Sequence, residues 1–522
     1  MTSNIADQEP TAGMPNQALT VNAEGMPTNA LAGGGGPGDV PTDASPPSQL
    51  PPQTTGRKWT PLVTVCLGAF MLLVDVSIVN VALPKMTEEL HSSFTSLQWV
   101  VDMYALVLAS LLMVAGSLGD RFGHRRLYIG GLILFALASL ACGLAPNVAV
   151  LITARGVQGV GAAGMFTATT ALLSAAYQGR DRGTAFGVWG AVNGGAAALG
   201  PILGGLLTEQ FGWRAIFLVN LPVAAVAVFM SRRVLGDSPH RGQRTIDIPG
   251  AIAFTASAAA VTYALIQSNT DGWHSATVLG LFAFSAVALI AFIIIELRAK
   301  DPLLDLSLLR NPSFAGLMTA GLLLSAGAFA HLTYTSIWLQ SILGLSPIKA
   351  GLAVSPLALT AFIVAGFGGK HLGKLAPQWP IGLGLALIGG GTLMLMIVHG
   401  GSSWPALVPG LLISGVGVGM CTPVLASAAM STVPHRLAGM AGGALNTFRQ
   451  LGYALGIAVL GTVFARQTTS ASTTGHSAGV ASVARDAVAT SLDHVFAVAG
   501  GTALVAAVFV LLLVRRSANK AW

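Results

Sequence analysis

From Trp59 onward the chain alternates between long apolar stretches and short polar ones. A helix needs about 20 mainly apolar residues to cross the hydrocarbon core of a bilayer. Fourteen segments meet that length: 60–83, 97–118, 127–145, 148–176, 184–207, 213–230, 247–267, 277–297, 314–340, 347–368, 379–399, 405–430, 437–465 and 492–514. The third and fourth are divided by Ala145-Pro146-Asn147, which reads as a turn. The pattern predicts an all-α integral membrane protein. Residues 1–58 break it, being rich in Pro, Gly, Asn, Thr and Ala with no apolar run. They read as a disordered tail, and they lack the basic start and apolar stretch of a secretory signal. The segment 466–491, rich in Ser, Thr and Ala, reads as a flexible external loop.

Composition narrows the class further. Apolar residues make up 53% of the chain and charged residues 9%, against about 25% charged in a typical soluble protein. So few charges cannot cover 522 residues for water. A cytosolic enzyme, a nucleic-acid binder and a secreted scaffold are excluded, and the lipid bilayer is the expected partner. The net charge of +7 is explained by where the cations lie. With the N-terminus placed inside, 20 of the 27 Lys and Arg residues fall in inner segments. The outer ones are Lys85, Arg214, Lys349, Arg466 and Arg485, and Arg155 and Arg449 lie within spans. This alternating excess predicts cytoplasmic termini and an even number of spans in the cell membrane. Cys66, Cys142 and Cys421 are scattered in apolar runs and imply no disulfide framework or metal site.

The chain also repeats. Ala115, Gly116, Gly119 and Gly123 recur as Ala365, Gly366, Gly369 and Gly373, in the inner loops after spans 2 and 10. Two parallel six-span halves are expected, 59–232 and 312–515, with an inserted two-span hairpin at 245–298 and a short tail at 516–522. Transporters are built from parallel repeats of this kind, with a substrate site near the midplane between them.

Ordered motifs lie on this frame. The loop Gly116-Ser117-Leu118-Gly119-Asp120-Arg121-Phe122-Gly123-His124-Arg125-Arg126 joins sharp backbone turns to a charge cluster. An acid there can reach the facing half and hold an inner gate shut. The loop resembles the signature of the major facilitator superfamily. Other segments are similar to motifs of its fourteen-span drug:proton antiporters. They are Leu73-Val74-Asp75-Val76-Ser77-Ile78-Val79-Asn80-Val81-Ala82-Leu83-Pro84, Trp213-Arg214-Ala215-Ile216-Phe217-Leu218-Val219-Asn220-Leu221-Pro222 and Arg449-Gln450-Leu451-Gly452, while Arg155-Gly156-Val157-Gln158-Gly159-Val160-Gly161 resembles the superfamily's fourth-span arginine motif. Gly200-Pro201-Ile202-Leu203-Gly204-Gly205 resembles the antiporter motif, with Ala196 where that motif usually opens on Gly. The resemblance spans residues 59–515. It implies the major-facilitator fold, alternating access, and antiport powered by the proton motive force with no cofactor. One match misleads: Gly159-Val160-Gly161-Ala162-Ala163-Gly164 fits G-x-G-x-x-G but has no preceding strand, so it marks no dinucleotide site.

Ionisable residues inside spans are costly and usually line a cavity, a proton route or an ion pair. Asp75 lies near the middle of span 1 and Arg155 in the outer half of span 4. A carboxylate withdrawn from water can take and release a proton. Asp75 as proton carrier with Arg155 setting its proton affinity is the favoured reading, and a permanent structural pair is the other. Asn80, Gln158, Asn193, His331, Tyr334, Asn446 and Arg449 are candidate cavity residues. For Arg449, an anionic substrate group and a helix-packing contact stand level. His331 reads more simply as a core histidine, Tyr334 and Trp338 as interface anchors, and Asp102 as reaching the outer interface.

The expected activity is proton-coupled export of a lipophilic small molecule, a drug or antibiotic, by a monomer. The alternatives are export of an endogenous metabolite by the same machinery, or a non-transporting membrane sensor. No Walker loop, H-E-x-x-H or G-x-S-x-G supplies an enzyme's chemistry.

Overall fold

The structure is a computed structural model, which describes residues 58–92, 94–236, 247–372, 375–399, 401–434, 437–472 and 480–514. The expected N-terminal tail, apart from Lys58, and the C-terminal tail lie outside these residues. The described residues form helices and turns, with no strand among them.

The first half comprises α1 (Thr60–Leu90), α2 (Phe94–Phe122), α3 (His124–Gly143), α4 (Val148–Ala176), α5 (Gly179–Phe211), α6 (Ala215–Leu218) and α7 (Asn220–Val234). A hairpin follows, α8 (Ile248–Asp271) and α9 (Ala276–Glu296). The second half comprises α10 (Pro312–Ala328), α11 (Ala330–Ile337), α12 (Pro347–Leu372), α13 (Gln378–Met394), α14 (Val408–Ser431), α15 (Ala438–Ser472) and α16 (Val480–Leu513). Among the described residues, thirteen spans are long and apolar enough to cross a membrane as single units, and α5 supplies a fourteenth when its bent pair is taken as one span. Each falls on one of the fourteen stretches expected from the sequence.

Prolines account for two of the irregularities. The two parts of α5, Asp181–Ala196 and Leu199–Phe211, lie at 42°. Pro201 has no N–H to give the Ala197 carbonyl, so the ladder opens one turn before it. The sixth span breaks between α6 and α7 in the same way, because Pro222 cannot bond the Leu218 carbonyl. That break swings Asn220 into the bundle interior, where it is 3% exposed.

Packing follows the repeat. In the first half α1 lies on α5 and α7, and α3 on α4 and α7; in the second, α10 lies on α15 and α16, and α13 on α14 and α16. Two seams join the halves, α2 against α15 and α12 against α5. Each seam pairs one half's second span with the other's fifth. The hairpin helices bond to each other through Ser257 and Ser285 and set Phe254 against Phe292 in a tilted pair, 5.3 Å between ring centroids. α8 also lies against α2 and α15. The three cysteines are buried and free.

The segment 466–491 differs from expectation. α15 continues to Ser472 and α16 starts at Val480, leaving only 473–479 outside the described residues. Its many alanines have the highest helix propensity of any residue, so the ladder continues past the apolar stretch.

Candidate functional site

Asp75 and Arg155 meet, and they recruit more partners than the sequence showed. Asp75 of α1 and Arg155 of α4 are both fully buried. An Arg155 Nη donates to Asp75 Oδ2 at 2.5 Å and to Gln158 Oε1 at 2.7 Å, and Nε donates to the Val100 carbonyl of α2 at 3.0 Å. Asp75 Oδ1 accepts from Gln158 Nε2 and from Asn220 Nδ2, both at 2.9 Å. The same amides reach Ser139 Oγ of α3, at 2.8 and 3.3 Å. The guanidinium lies 4.2 Å from the Tyr104 ring centroid, a cation–π contact strengthened by the absence of water.

A buried ion pair is stable only when its remaining hydrogen-bonding positions are filled. Here five helices fill all of them but the second Arg155 Nη, which is buried without a partner, so the charge state of Asp75 is tied to the relative positions of α1, α2, α3, α4 and α7. Gln158 belongs to this network. The sequence reading left out Ser139 and Tyr104, which carry no charge to betray them. Asn220 entered the sequence reading only within the motif at 213–222, with no role given to it, although it is a polar residue in an apolar span two positions before a proline.

The loop after α2 closes one seam, at the end of the bundle that carries the basic loops. Asp120, with its side chain 5% exposed, accepts hydrogen bonds from the Gly439 and Met440 backbone N–H groups, both at 2.8 Å. These are orphan donors in the first turn of α15, so an acid of one half caps a helix of the other. His124 Nε2 also lies 3.1 Å from the same carboxylate. Gly116 permits the approach: a side-chain carbon there would run into the Gly439 carbonyl. Gly119 packs beneath His124, and Gly123, at φ +93°, makes the turn into α3. Arg121 covers the Phe122 ring at 5.3 Å, and Arg125 donates to the Arg232 carbonyl at the end of α7 at 2.7 Å.

Gly200-Pro201-Ile202-Leu203-Gly204-Gly205 divides between two faces of α5. Gly200 and Gly204 receive Ser77 and the Ile78 carbonyl of α1, while Pro201 and Gly205 meet Gly351 and Ile348 of α12 in the other half. The motif seats one helix against both halves. Ala196, where a glycine was expected, is fully buried. Gly159 and Gly161 of the misleading match let α4 approach α2 and α3: Gly159 faces Tyr104 and Val107, and Gly161 faces Gly131 and Phe135.

The remaining candidates scatter. Asn80 is exposed and Asn193 half-buried, with its Oδ1 unpartnered. His331 packs edge-on against Phe496 at 5.8 Å, with Nδ1 3.1 Å from the Gly327 carbonyl. Tyr334 donates to the Ile457 carbonyl and lies against Phe464. These two sit in the core of the second half. Asn446 is buried, with Nδ2 unpartnered, and Arg449 is half-buried, with Nε unpartnered.

Two repeated helical halves meeting along paired seams, with a buried charge network in one half, define a multi-pass membrane transporter. Comparison with known proteins agrees. Residues 65–457 match the family model described as Major Facilitator Superfamily. The chain is 38% identical over 405 residues to the "Multidrug resistance protein Stp" of Mycobacterium tuberculosis, covering 77% of this chain and 75% of that protein. It is 33% identical to the "Methylenomycin A resistance protein" of Streptomyces coelicolor, over 78% of this chain and 86% of that one. It is 31% identical to the "Tetracenomycin C resistance and export protein" of Streptomyces glaucescens, over 78% and 76%. Among solved structures, the human organic anion transporter MFSD10 (TETRAN) shares the fold, with a TM-score of 0.63 at 16% identity, over 88% of this chain and 100% of that one. The chain belongs to the major facilitator superfamily.

Proposed function

We propose that this protein exports lipophilic drugs or antibiotics across the cell membrane in exchange for protons. The observation that carries the export reading is the set of relatives, each matched over three quarters or more of its own length and named for drug or antibiotic resistance or export. In this reading the halves are 59–232 and 312–515, the hairpin 245–298 is an insertion, the chain works as a monomer, and both termini are cytoplasmic. No cofactor takes part.

The coupling reading rests on Asp75. As a carboxylate it satisfies Arg155, Gln158 and Asn220 together. A proton arriving from outside neutralises it, and Arg155 then loses the counter-ion that holds α4 against α1. Burial makes that loss large, because an orphaned charge out of water is expensive. Protonation thus favours a rearrangement of the first half, and Asp120 leaving the first turn of α15 opens the cytoplasmic end. Substrate leaves to the outside as the proton binds, and proton release to the inside resets the cycle.

The test is a drug-susceptibility panel in a pump-deficient host, with and without dissipation of the proton gradient. Wild type should protect against several lipophilic drugs only while the gradient stands. Asp75→Asn should reach the membrane and fail to protect. Full protection by Asp75→Asn overturns the coupling role, and no protection by wild type against any compound overturns export.

A further inference from the structure

The two arginines within spans differ in what meets their charge, although each has one buried nitrogen without a partner. The charge of Arg155 is met by a carboxylate, an amide oxygen, a backbone carbonyl and an aromatic face. Arg449 has no such company. Among the described residues no carboxylate pairs with it, and its titratable neighbour is the Cys421 thiol. Its Nε is buried without a partner. Its stem packs over Gly321 of α10, so the side chain is held in place.

Arg449 also faces the right space. Gly442, Asn446, Arg449 and Tyr453 share one face of α15, at successive steps of four, three and four residues. Gly442 meets Thr170 and the Thr167 carbonyl of α4, so this face is turned toward the opposite half. Tyr453, on the same face, is 38% exposed. Asn446 is 1% exposed and its Nδ2 donor has no acceptor. The Nε of a guanidinium and an amide donor, one turn apart, are thus left unpartnered on the face of α15 that meets the opposite half at Gly442. A buried cation in a membrane protein calls for an anion, and a planar guanidinium is suited to a carboxylate.

We propose that Arg449 and Asn446 form the headgroup site for the cargo, and that the preferred cargo is an organic anion, a carboxylate on a lipophilic body. The inference rests on the export reading and narrows it. Arg449 binds the charge and Asn446 donates a second hydrogen bond, while the apolar body lies against the surrounding spans.

The test uses the purified full chain and two fluorescent probes, dansyl-aminoundecanoic acid and its methyl ester, in binding and in liposome transport. A charge-assisted hydrogen bond is worth roughly tenfold to a hundredfold in affinity, so wild type should bind the acid at least about tenfold more tightly than the ester. Arg449→Gln should bring the two within about twofold while ester binding is unchanged, which shows that the fold survives. Arg449→Lys should keep most of the preference, and Asn446→Ala should lose part of it. Equal wild-type affinity for acid and ester overturns the proposal, as does an Arg449→Gln protein that still prefers the acid. If wild type exports only neutral and cationic drugs and shows no acid preference, the anion site falls and export stands. If acid binding depends on Arg449 but no compound is transported, export falls and the site stands.

Discussion

Asp120→Ala should unlatch the end of the transporter that carries the basic loops. The carboxylate makes two hydrogen bonds of 2.8 Å to N–H groups in the first turn of α15, and its side chain is 5% exposed. Removing a helix N-cap costs about 1 kcal/mol. A negative charge at a partly buried helix N-terminus adds up to roughly 2 kcal/mol. Both are present only while the seam is closed, so the substitution weakens the closed state by about 1–3 kcal/mol relative to the open one. At about 1.4 kcal/mol per factor of ten, the closed-to-open ratio should fall roughly 5-fold to 100-fold. Asp120→Asn keeps a cap oxygen but not the charge, and should fall about midway. Spin labels on the exposed positions Arg126 and Ser431 lie on opposite halves at this end, and pulsed electron resonance reads the distance between them. The variant should populate a longer distance at the expense of the wild-type one. If the two distributions superimpose in a protein of unchanged thermal stability, the latch reasoning is wrong.

Other substitutions probe the same physics. Gly116→Val should act like Asp120→Ala in the distance measurement, because its side chain meets the Gly439 carbonyl. Gly161→Ala should lower thermal stability by about 1–3 kcal/mol, since its methyl would lie 2.7 Å from the Phe135 nitrogen. Gly130→Ala, with open space at the same distance, should be neutral or stabilising by up to about 1 kcal/mol. Arg155→Ala should cost about 3–5 kcal/mol by leaving Asp75 buried and unpaired. Glu89→Gln should cost under about 1 kcal/mol: its partner Arg214 and Glu89 itself are 41% and 40% exposed. Thermal melts in one detergent would compare all four, and equal losses for the Arg155 and Glu89 variants would refute the role of burial.

The fourteen spans were legible because the bilayer imposes its thickness on each segment separately, and a run of apolar residues answers that demand alone. Asp75 and Arg155 were legible for the same reason, as charges where the solvent is lipid. Their closure into one network was not, because Val100, Ser139 and Asn220 reach Asp75, Arg155 and Gln158 only through the rotation of three other helices. The partner of Asp120 was hidden further, since it is two backbone N–H groups that every residue but proline possesses. The two faces of Gly200-Pro201-Ile202-Leu203-Gly204-Gly205 share a single line of sequence and separate only when α1 and α12 pack on opposite sides. The sequence by itself determined which segments enter the membrane and which charges must find partners there. Tertiary structure decided which partners they found, and it left Arg449 without one, because helix register and rotation are set by contacts between segments far apart in the chain.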